Sequence, residues 1–374
     1  MAPKAAFIYS DRFAGYDLGP SHPLKPVRLR MTQDLLDAYG VLARPEARVV
    51  EARPATEEEV LAVHTRGYYD AVAALSAGGS IGWAQYDHGF GSSDNPPFPG
   101  MLDASLLYTG ASLQAARLVS AGEVPRAFSI SGGLHHAMPD RASGFCTFND
   151  PAIAIVDLLR RHERVLYLDV DAHHGDGVQA VFYDSPRVLT ISLHESGRTL
   201  FPGTGFIEET GTGAGEGYSV NIPLFPGTTD ETYERVFEAL VPPLVEWFDP
   251  QVVVAQLGVD THALDPLTHL ALSTEGFTSV VRAVRDWSRP LVALGGGGYN
   301  VDVVARSWTL AFACLAEVDL PDETPAARPQ GVGARLRDRA ARLPKHADPT
   351  PAAQFAERTV SAVREKVFRR HGIA

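Results

Sequence analysis

The sequence contains six short runs of apolar, often β-branched residues, each followed by polar or glycine-rich residues and mostly then by a stretch with helical periodicity. Several runs are apolar at nearly every position, which is typical of parallel strands covered by helices on both faces. The pattern predicts an α/β fold with a single doubly wound, mostly parallel sheet. The runs are AFIYS (6–10), AFSIS (127–131), RVLYLDV (164–170), VLTISL (188–193), QVVVAQLGV (251–259) and PLVALGG (290–296).

The stretches between these runs predict amphipathic helices over residues 31–39, 56–64, 105–122, 149–162, 230–248 and 273–287. Thr56 and Glu59 have the spacing of a capping box, which marks a helix start. No repeat or proline- and serine-rich linker divides the chain. We therefore expect one domain over residues 1–320 and a C-terminal helical extension over 321–374, packed on that domain. Within the extension, the basic run 335–342 predicts a solvated helix face.

Composition restricts the class of protein. The 374 residues are 45% hydrophobic, enough for a large core, and 33 basic against 45 acidic residues give a net charge of −12. Such acidity argues against nucleic-acid binding that rests on basic surface. No apolar run reaches the ~18 residues of a membrane span, and no signal-peptide pattern is present. With only two cysteines, Cys146 and Cys314, the chain is predicted to be cytoplasmic, with no membrane partner.

Polar, chemically active residues follow four of the predicted strands. In an open α/β sheet, ligands bind beyond the carboxyl ends of the strands, so these residues are expected to share one rim. They are His135 and His136, then Asp169, Asp171, His173, His174 and Asp176, then Asp260, His262 and Asp265, and finally Tyr299.

Two carboxylates and one imidazole in this set suit a catalytic metal. Asp171 and His173 are two residues apart, so at an extended strand end their side chains share a face. With Asp260 they supply three ligands and leave a position open for water. Such ligands fit Zn²⁺ or Fe²⁺, and the sequence does not decide between them. Each residue alone is as well explained as a cap or a surface residue; the three together predict a site.

Hydrolysis at such a metal also needs proton transfer, which His135 and His136 are suited to perform. Asp169 and Asp176 are available to hold the second nitrogen of each ring. Tyr299, after the four glycines 295–298, is a candidate donor to a developing oxyanion. Alone, the glycine run would indicate only a tight bend or close backbone packing.

Several of these segments resemble the successive signature blocks of the histone deacetylase superfamily of metal-dependent amidohydrolases. The chain is most similar to the bacterial acetoin-utilisation deacetylases, which resemble class I histone deacetylases, and the resemblance covers nearly all but the C-terminal tail. It implies the arginase/deacetylase fold. The blocks are SHPLKPVRLRMTQDLL (21–36), GGLHHAMPDRASGFCTFND (132–150), VLYLDVDAHHGDGVQAVFY (165–183), SLHESGRTLFPGTG (192–205), QLGVDTHALDP (256–266) and LGGGGYN (294–300).

The resemblance implies a role for each candidate in the active site. Asp171, His173 and Asp260 would be the metal ligands, and Tyr299 the oxyanion donor. By the same resemblance, His136, backed by Asp176, would be the main proton-transfer group. His135, backed by Asp169, would be its electrostatic partner.

The resemblance also implies substrate contacts. Asp94, in the loop GSSDNPPFPG, would hydrogen-bond the substrate backbone at the rim, and Arg28 would line a channel through which acetate leaves. The walls of a narrow tunnel for the lysine stem would be Gly144, Phe145, Phe201 and Leu267. Considered singly, the two phenylalanines are as well explained as core residues, and Asp94 as a turn residue.

Two structural monovalent cation sites, normally potassium, are implied by the resemblance alone. The nearer site would use Asp169, Asp171, His173, Ser192 and Leu193. The more distant one would use Phe182, Ser185, Val188 and Tyr218.

Two departures from related proteins narrow the prediction. Binuclear ureohydrolases carry further aspartates where this chain has Gly175 and His262, which disfavours a two-metal site. Eukaryotic class I enzymes bind inositol phosphate through arginines where this chain has Pro266 and Asp302. No chemical role follows for His174 or His262.

The leading hypothesis is a deacetylase of lysine side chains in cytoplasmic proteins, with acetyl-CoA synthetase as the substrate by analogy. A deacetylase of acetylpolyamines or other small acetylated amines is the alternative. It ranks second because residues 76–99 hold no long insertion that would close the entrance. A non-catalytic acetyl-lysine binder is disfavoured, since it would not need the histidine pair or Tyr299.

Overall fold

One sheet of eight parallel strands organises the part of the chain that the computed structural model describes, residues 2–338 and 348–374. Its order is β2-β1-β3-β8-β7-β4-β5-β6, and each pair of neighbours is parallel. This confirms the predicted fold class. The strands are β1 (Ala5–Tyr9), β2 (Ala47–Glu51), β3 (Arg126–Ser129), β4 (Val165–Asp169), β5 (Val188–Glu195), β6 (Ser219–Leu224), β7 (Val252–Gln256) and β8 (Leu291–Leu294).

The six predicted strands are the six inner strands, and the two that the pattern missed are the edges. Inner strands are buried along almost their whole length, so their apolar runs are nearly continuous. The edge strand β2 is half exposed, with Val49 50% exposed. The other edge, β6, contains Asn221 and Pro223, and proline is tolerated in a sheet mainly at an edge.

Helices cover both faces of the sheet. They are α1 (Val27–Ala38), α2 (Glu57–Val60), α3 (Arg66–Ser76), α4 (Ala84–Asp87), α5 (Met101–Ser120), α6 (Asp150–Leu158), α7 (Asp176–Phe182), α8 (Asp230–Phe248), α9 (Thr274–Asp286), α10 (Val301–Leu315), α11 (Thr350–Val363) and α12 (Arg369–His371). Short 3₁₀ turns occur at Asp11–Gly15 and Gly213–Gly215, and a π turn at Arg364–Phe368 joins α11 to α12. None of the described helices is both long and apolar enough to cross a membrane.

The bounds of the six predicted helices differ from the observed ones by up to four residues at either end. The capping box between Thr56 and Glu59 is present, but α2 ends at Val60, so the prediction of a helix over 56–64 is too long. The pattern missed α10 because this helix is apolar around most of its circumference and therefore shows no polar face.

The C-terminal extension, residues 321–374, differs from its prediction in the described part of its basic run. In the described part of the basic run 335–342, Arg335 and Arg337 are not helical and instead bind Asp322, whose Oδ1 accepts the Arg337 amide at 2.8 Å. The helical prediction is wrong there because a carboxylate holds the run extended; residues 339–342 lie outside the described residues. Further on, α11 packs on β6 and α8, and Thr359 Oγ1 donates to Pro223 O at 3.0 Å.

Candidate metal centre and active site

Asp171, His173 and Asp260 meet at the carboxyl edge of the sheet because they follow β4 and β7, which are neighbours. All three are buried, and one ligand atom of each lies within 4.8 Å of the others. His173 Nδ1 is 2.8 Å from Asp260 Oδ2 and 3.1 Å from Asp171 Oδ1. The structure thus brings the three predicted ligands together.

The surroundings of this triad fit a divalent metal. Gln256 Nε2 and the Gly297 amide both donate to Asp171 Oδ2 at 2.7 Å, and the Ala172 amide donates to Asp260 Oδ1 at 2.8 Å. Each carboxylate therefore has one oxygen facing the imidazole, and in Asp171 that oxygen also accepts the His173 amide at 2.9 Å. Two buried carboxylates this close are costly without a cation between them, and the donor set is that of Zn²⁺ or Fe²⁺ sites.

The adjacent histidines form two hydrogen-bonded carboxylate pairs. His135 Nδ1 lies 2.7 Å from Asp169 Oδ2, and His136 Nδ1 lies 2.7 Å from Asp176 Oδ1. With Nδ1–H donated to a carboxylate, the two Nε2 atoms face each other at 3.1 Å. That distance allows a hydrogen bond between the rings when one Nε2 atom is protonated.

The pKa values of His135 and His136 shift in opposite directions. Burial disfavours a charge on His135, but the carboxylates of Asp169 and Asp171 outweigh burial and raise its pKa to about 9. Burial and the charge of His135 lower the pKa of His136 to about 4. Near pH 7 His136 is therefore the neutral ring, and a divalent cation in the triad would lower the pKa of both rings.

Tyr299 stands at the end of the glycine turn, beside the triad. A Cβ on Gly297 would overlap the Asp260 carboxylate, and one on Gly296 would overlap Gln256, so glycine is needed for this approach. The Tyr299 ring centroid lies 6.4 Å from that of His173. Burial, with the charge of Asp260, raises the pKa of Tyr299 well above its usual value, so the phenol is a neutral donor.

A narrow cavity lies above these groups. It is lined by His135, His136, Gly144, Phe145, Asp171 and Tyr299, among other residues. The Phe145 ring is 5.7 Å from that of Tyr299, while Phe201, 45% exposed, is 5.0 Å from the His136 ring. Gly144 has φ +52°, and a Cβ there would overlap the His136 ring, which explains the glycine.

Two other predicted substrate residues, Leu267 and Asp94, are connected through one neighbour each to residues that line this cavity. The Leu267 amide donates to Asp265 at 2.9 Å, and the same carboxylate accepts the Tyr299 amide at 2.8 Å. Asp94 is exposed on its loop, and its carbonyl lies 3.3 Å from Nε2 of His22. The His22 ring packs on Phe145 at 4.4 Å, so the loop is tied to the cavity wall.

Arg28 lies on the inner side of the glycine turn. It is buried, donates to Gly298 O at 2.9 Å and stacks over Trp308 at 5.1 Å. It also lines a second cavity with Tyr16 and other residues, and this cavity shares Leu24 and Leu134 with the first.

The residues of the two implied potassium sites cluster around β5. Asp169 pairs with Ser192 in the sheet, which places Ser192 and Leu193 beside the end of β4. In the second set, Phe182 ends α7, Ser185 lies in the following turn, Val188 begins β5 and Tyr218 precedes β6.

His174 and His262 point away from the cavity. His174 Nδ1 is 2.9 Å from Thr204 Oγ1, and its Nε2 is 3.2 Å from Gln179 Oε1, so both of its nitrogens are engaged. His262 Nε2 is 3.1 Å from Asp338 Oδ2.

Sequence reasoning missed Asp150, which holds the loop before the histidine pair. This fully buried carboxylate accepts the amides of Gly133 and Leu134 at 2.9 Å each and the Ser112 hydroxyl at 2.6 Å. Burial raises its pKa to about 6 despite these hydrogen bonds, so it is ionised at neutral pH.

The neighbouring Asn149 holds the same loop from its other end. Its Nδ2 donates to the carbonyls of Ala137 at 2.9 Å and His135 at 3.2 Å, while its Oδ1 caps α6. The sequence did carry a signal: asparagine before Asp-Pro is typical of a helix N-cap.

We expect Asp150→Asn to lower kcat about tenfold, because its amide group would face backbone donors and shift the histidine loop. Asp157→Asn is the matched control: it lies on the same helix but pairs with Arg117 at 2.9 Å, away from the loop. Steady-state kinetics with an acetyl-lysine peptide measures both variants. Equal kcat values for the two would contradict the prediction.

Comparisons with known proteins agree with this geometry. The family model described as "Histone deacetylase domain" matches residues 22–315. The acetoin utilization protein AcuC of Bacillus subtilis is 40% identical over 328 residues, which cover 86% of this chain and 84% of that protein. Histone deacetylase RPD3 of Saccharomyces cerevisiae is 38% identical over 323 residues, covering 86% and 74%.

A solved structure shares the whole fold. The crystal structure of a histone deacetylase homologue from Aquifex aeolicus superposes with a TM-score of 0.86 at 33% identity, covering 96% of this chain and 99% of that one. The order of strands, the buried Asp-His-Asp triad and these matches lead to one conclusion. The chain belongs to the histone deacetylase family, a family of metal-dependent hydrolases that act on acetylated substrates.

Proposed function

We propose that this protein is a metal-dependent deacetylase that removes acetyl groups from lysine side chains of proteins and releases acetate. The observation that carries the proposal is that one narrow cavity is lined by Asp171 of the triad, the paired histidines and Tyr299. Its aromatic walls suit a linear aliphatic stem. We assign the catalytic domain to residues 1–320 and treat 321–374 as an extension packed on it.

The metal would be Zn²⁺, with Fe²⁺ as the alternative, held by Asp171, His173 and Asp260. When bound it would supply a Lewis acid that activates water and polarises the acetyl carbonyl. Tyr299 donates its hydroxyl to the oxygen on which negative charge develops. That donor is in place before reaction because the glycine turn and Asp265 fix the backbone of the tyrosine.

Proton transfer falls to the histidine pair. His136, held by Asp176, is neutral near pH 7 and takes the proton from water, then returns it to the departing amine. His135, held by Asp169, is its electrostatic partner in stabilising the developing anion. Arg28 attracts acetate on the inner side of the site, as a guanidinium suits a carboxylate.

A protein substrate is favoured by the rim. Asp94 is exposed on a loop tied to Phe145 through His22, so its carboxylate is available to a peptide backbone. The cytoplasmic substrate by analogy is acetyl-CoA synthetase. Potassium would occupy the two clusters around β5 and hold the β4 and β5 ends in place.

The test is a side-by-side assay of an acetyl-lysine peptide and an acetylpolyamine with metal-loaded and chelated protein. We expect peptide turnover that is lost on chelation and restored by Zn²⁺ or Fe²⁺. Turnover of the polyamine alone would replace the proposal with a small-amine deacetylase. Peptide binding without acetate release in every metal form would replace it with a non-catalytic binder.

A further inference from the structure

His262 lies two residues after Asp260, yet both of its ring nitrogens are engaged outside the triad. Nδ1 accepts the Leu264 amide at 3.1 Å, which leaves the proton on Nε2. Nε2–H therefore donates to Asp338 Oδ2 at 3.1 Å. The buried ring thus links the turn after β7 to the C-terminal segment, defined here as residues 321–338.

Asp338 also binds Arg306, a nearly fully buried arginine in α10. Arg306 Nη1 donates to Asp338 Oδ2 at 2.9 Å, and its Nε donates to both carboxylate oxygens of Asp302 at 3.1 Å. A buried guanidinium needs such partners, and losing one leaves charge uncompensated. The Asp338 amide in turn donates to Thr274 Oγ1 at 2.7 Å, which fixes the carboxylate in this position.

The two elements that Asp338 joins are those that hold Tyr299. The turn with His262 also carries Asp265, which accepts the Tyr299 amide at 2.8 Å. The helix with Arg306 begins directly after Tyr299, and Asn300 at its N-cap donates to Leu264 O at 3.2 Å. Tyr299 therefore lies between the His262 turn and α10, and the Asp338 carboxylate links these two elements.

We propose that the C-terminal segment is a positioning element of the active site, in which Asp338 braces the His262 turn against α10 and so sets the position of Tyr299. This rests on the proposed function for its catalytic consequence. Asp338 touches neither the cavity nor the triad residues, so it is a positioning residue that acts through Tyr299.

The test combines Asp338→Asn with Tyr299→Phe. Because the brace acts through the tyrosine, we expect Asp338→Asn to lower kcat about tenfold with KM and metal content unchanged. In the Tyr299→Phe background the same change should have no further effect. The control is Arg335→Ala, which removes an exposed ion pair with Asp322 inside the same segment.

A second readout does not depend on activity. Amide hydrogen exchange of the peptide containing Tyr299 should be faster in Asp338→Asn than in the wild type and unchanged in Arg335→Ala. Unchanged exchange in Asp338→Asn, or an equal loss of kcat in the presence and absence of the Tyr299 hydroxyl, would overturn the proposal. If exchange is faster in Asp338→Asn but the wild type itself has no deacetylase activity, the brace is supported and the proposed function is overturned instead.

Discussion

Tyr299→Phe is expected to lower kcat about 100- to 1,000-fold, the usual cost of losing one oxyanion donor, with little change in KM. The reason is that the hydroxyl interacts with charge that exists only in the transition state, so substrate binding does not depend on it. The pKa of Tyr299 is raised by burial and by Asp260, which keeps the phenol protonated over the working pH range.

Steady-state kinetics with an acetyl-lysine peptide measures this effect, and metal analysis shows whether the triad is intact. Tyr69→Phe is the matched control, because Tyr69 lies on α3 and its ring stacks on Phe148 rather than lining the cavity. Peptide turnover by Tyr299→Phe at the wild-type rate would refute the oxyanion assignment.

Asp171→Ala and Asp260→Ala are expected to lose bound metal and, with it, activity. Changes in outer partners of metal ligands cost roughly 10- to 100-fold in affinity, so the loss of a direct ligand should exceed that. His262→Ala should retain metal, because both nitrogens of His262 are engaged by Leu264 and Asp338. Comparison of the three variants therefore distinguishes the two aspartate ligands from His262, a nearby histidine that does not bind the metal.

Metal content by mass spectrometry, and the rise in Tm on adding Zn²⁺, measure this directly. A ligand that binds only the folded protein raises its stability, so the wild type and His262→Ala should show the rise and both aspartate variants should not. Metal retained by both aspartate variants would refute the proposed ligand set.

The inner part of the fold was predictable because burial on both faces leaves a strong mark on a strand. The runs that became β4 and β7 are apolar throughout, and their order with helices between them indicates parallel strands. The edge strands carry a weaker mark: β2 has the mixed sequence ARVVE with Val49 and Glu51 exposed, and β6, although buried, is interrupted by Asn221 and Pro223. Their existence is decided by neighbours rather than by their own residues.

The candidate site was predictable for the same reason. Parallel strands end at one edge, so Asp171, His173 and Asp260 had to approach each other once β4 and β7 were neighbours. What the pattern did not indicate was the support. Asp150 and Asn149 act through hydrogen bonds to backbone atoms of the histidine loop, and such contacts leave no periodicity in a sequence.

The sequence by itself determined the kind of fold, the inner strands and the identity of the groups that meet at the strand ends, because these depend on local hydrophobic pattern and residue chemistry. Only the tertiary structure decided the contacts of polar residues to which the sequence assigned no role. The sequence assigned no chemical role to His262, and in the structure its ring faces Asp338, which is distant in the chain. The partner of a polar side chain depends on which distant segments pack against it, and the local sequence does not show which segments these are.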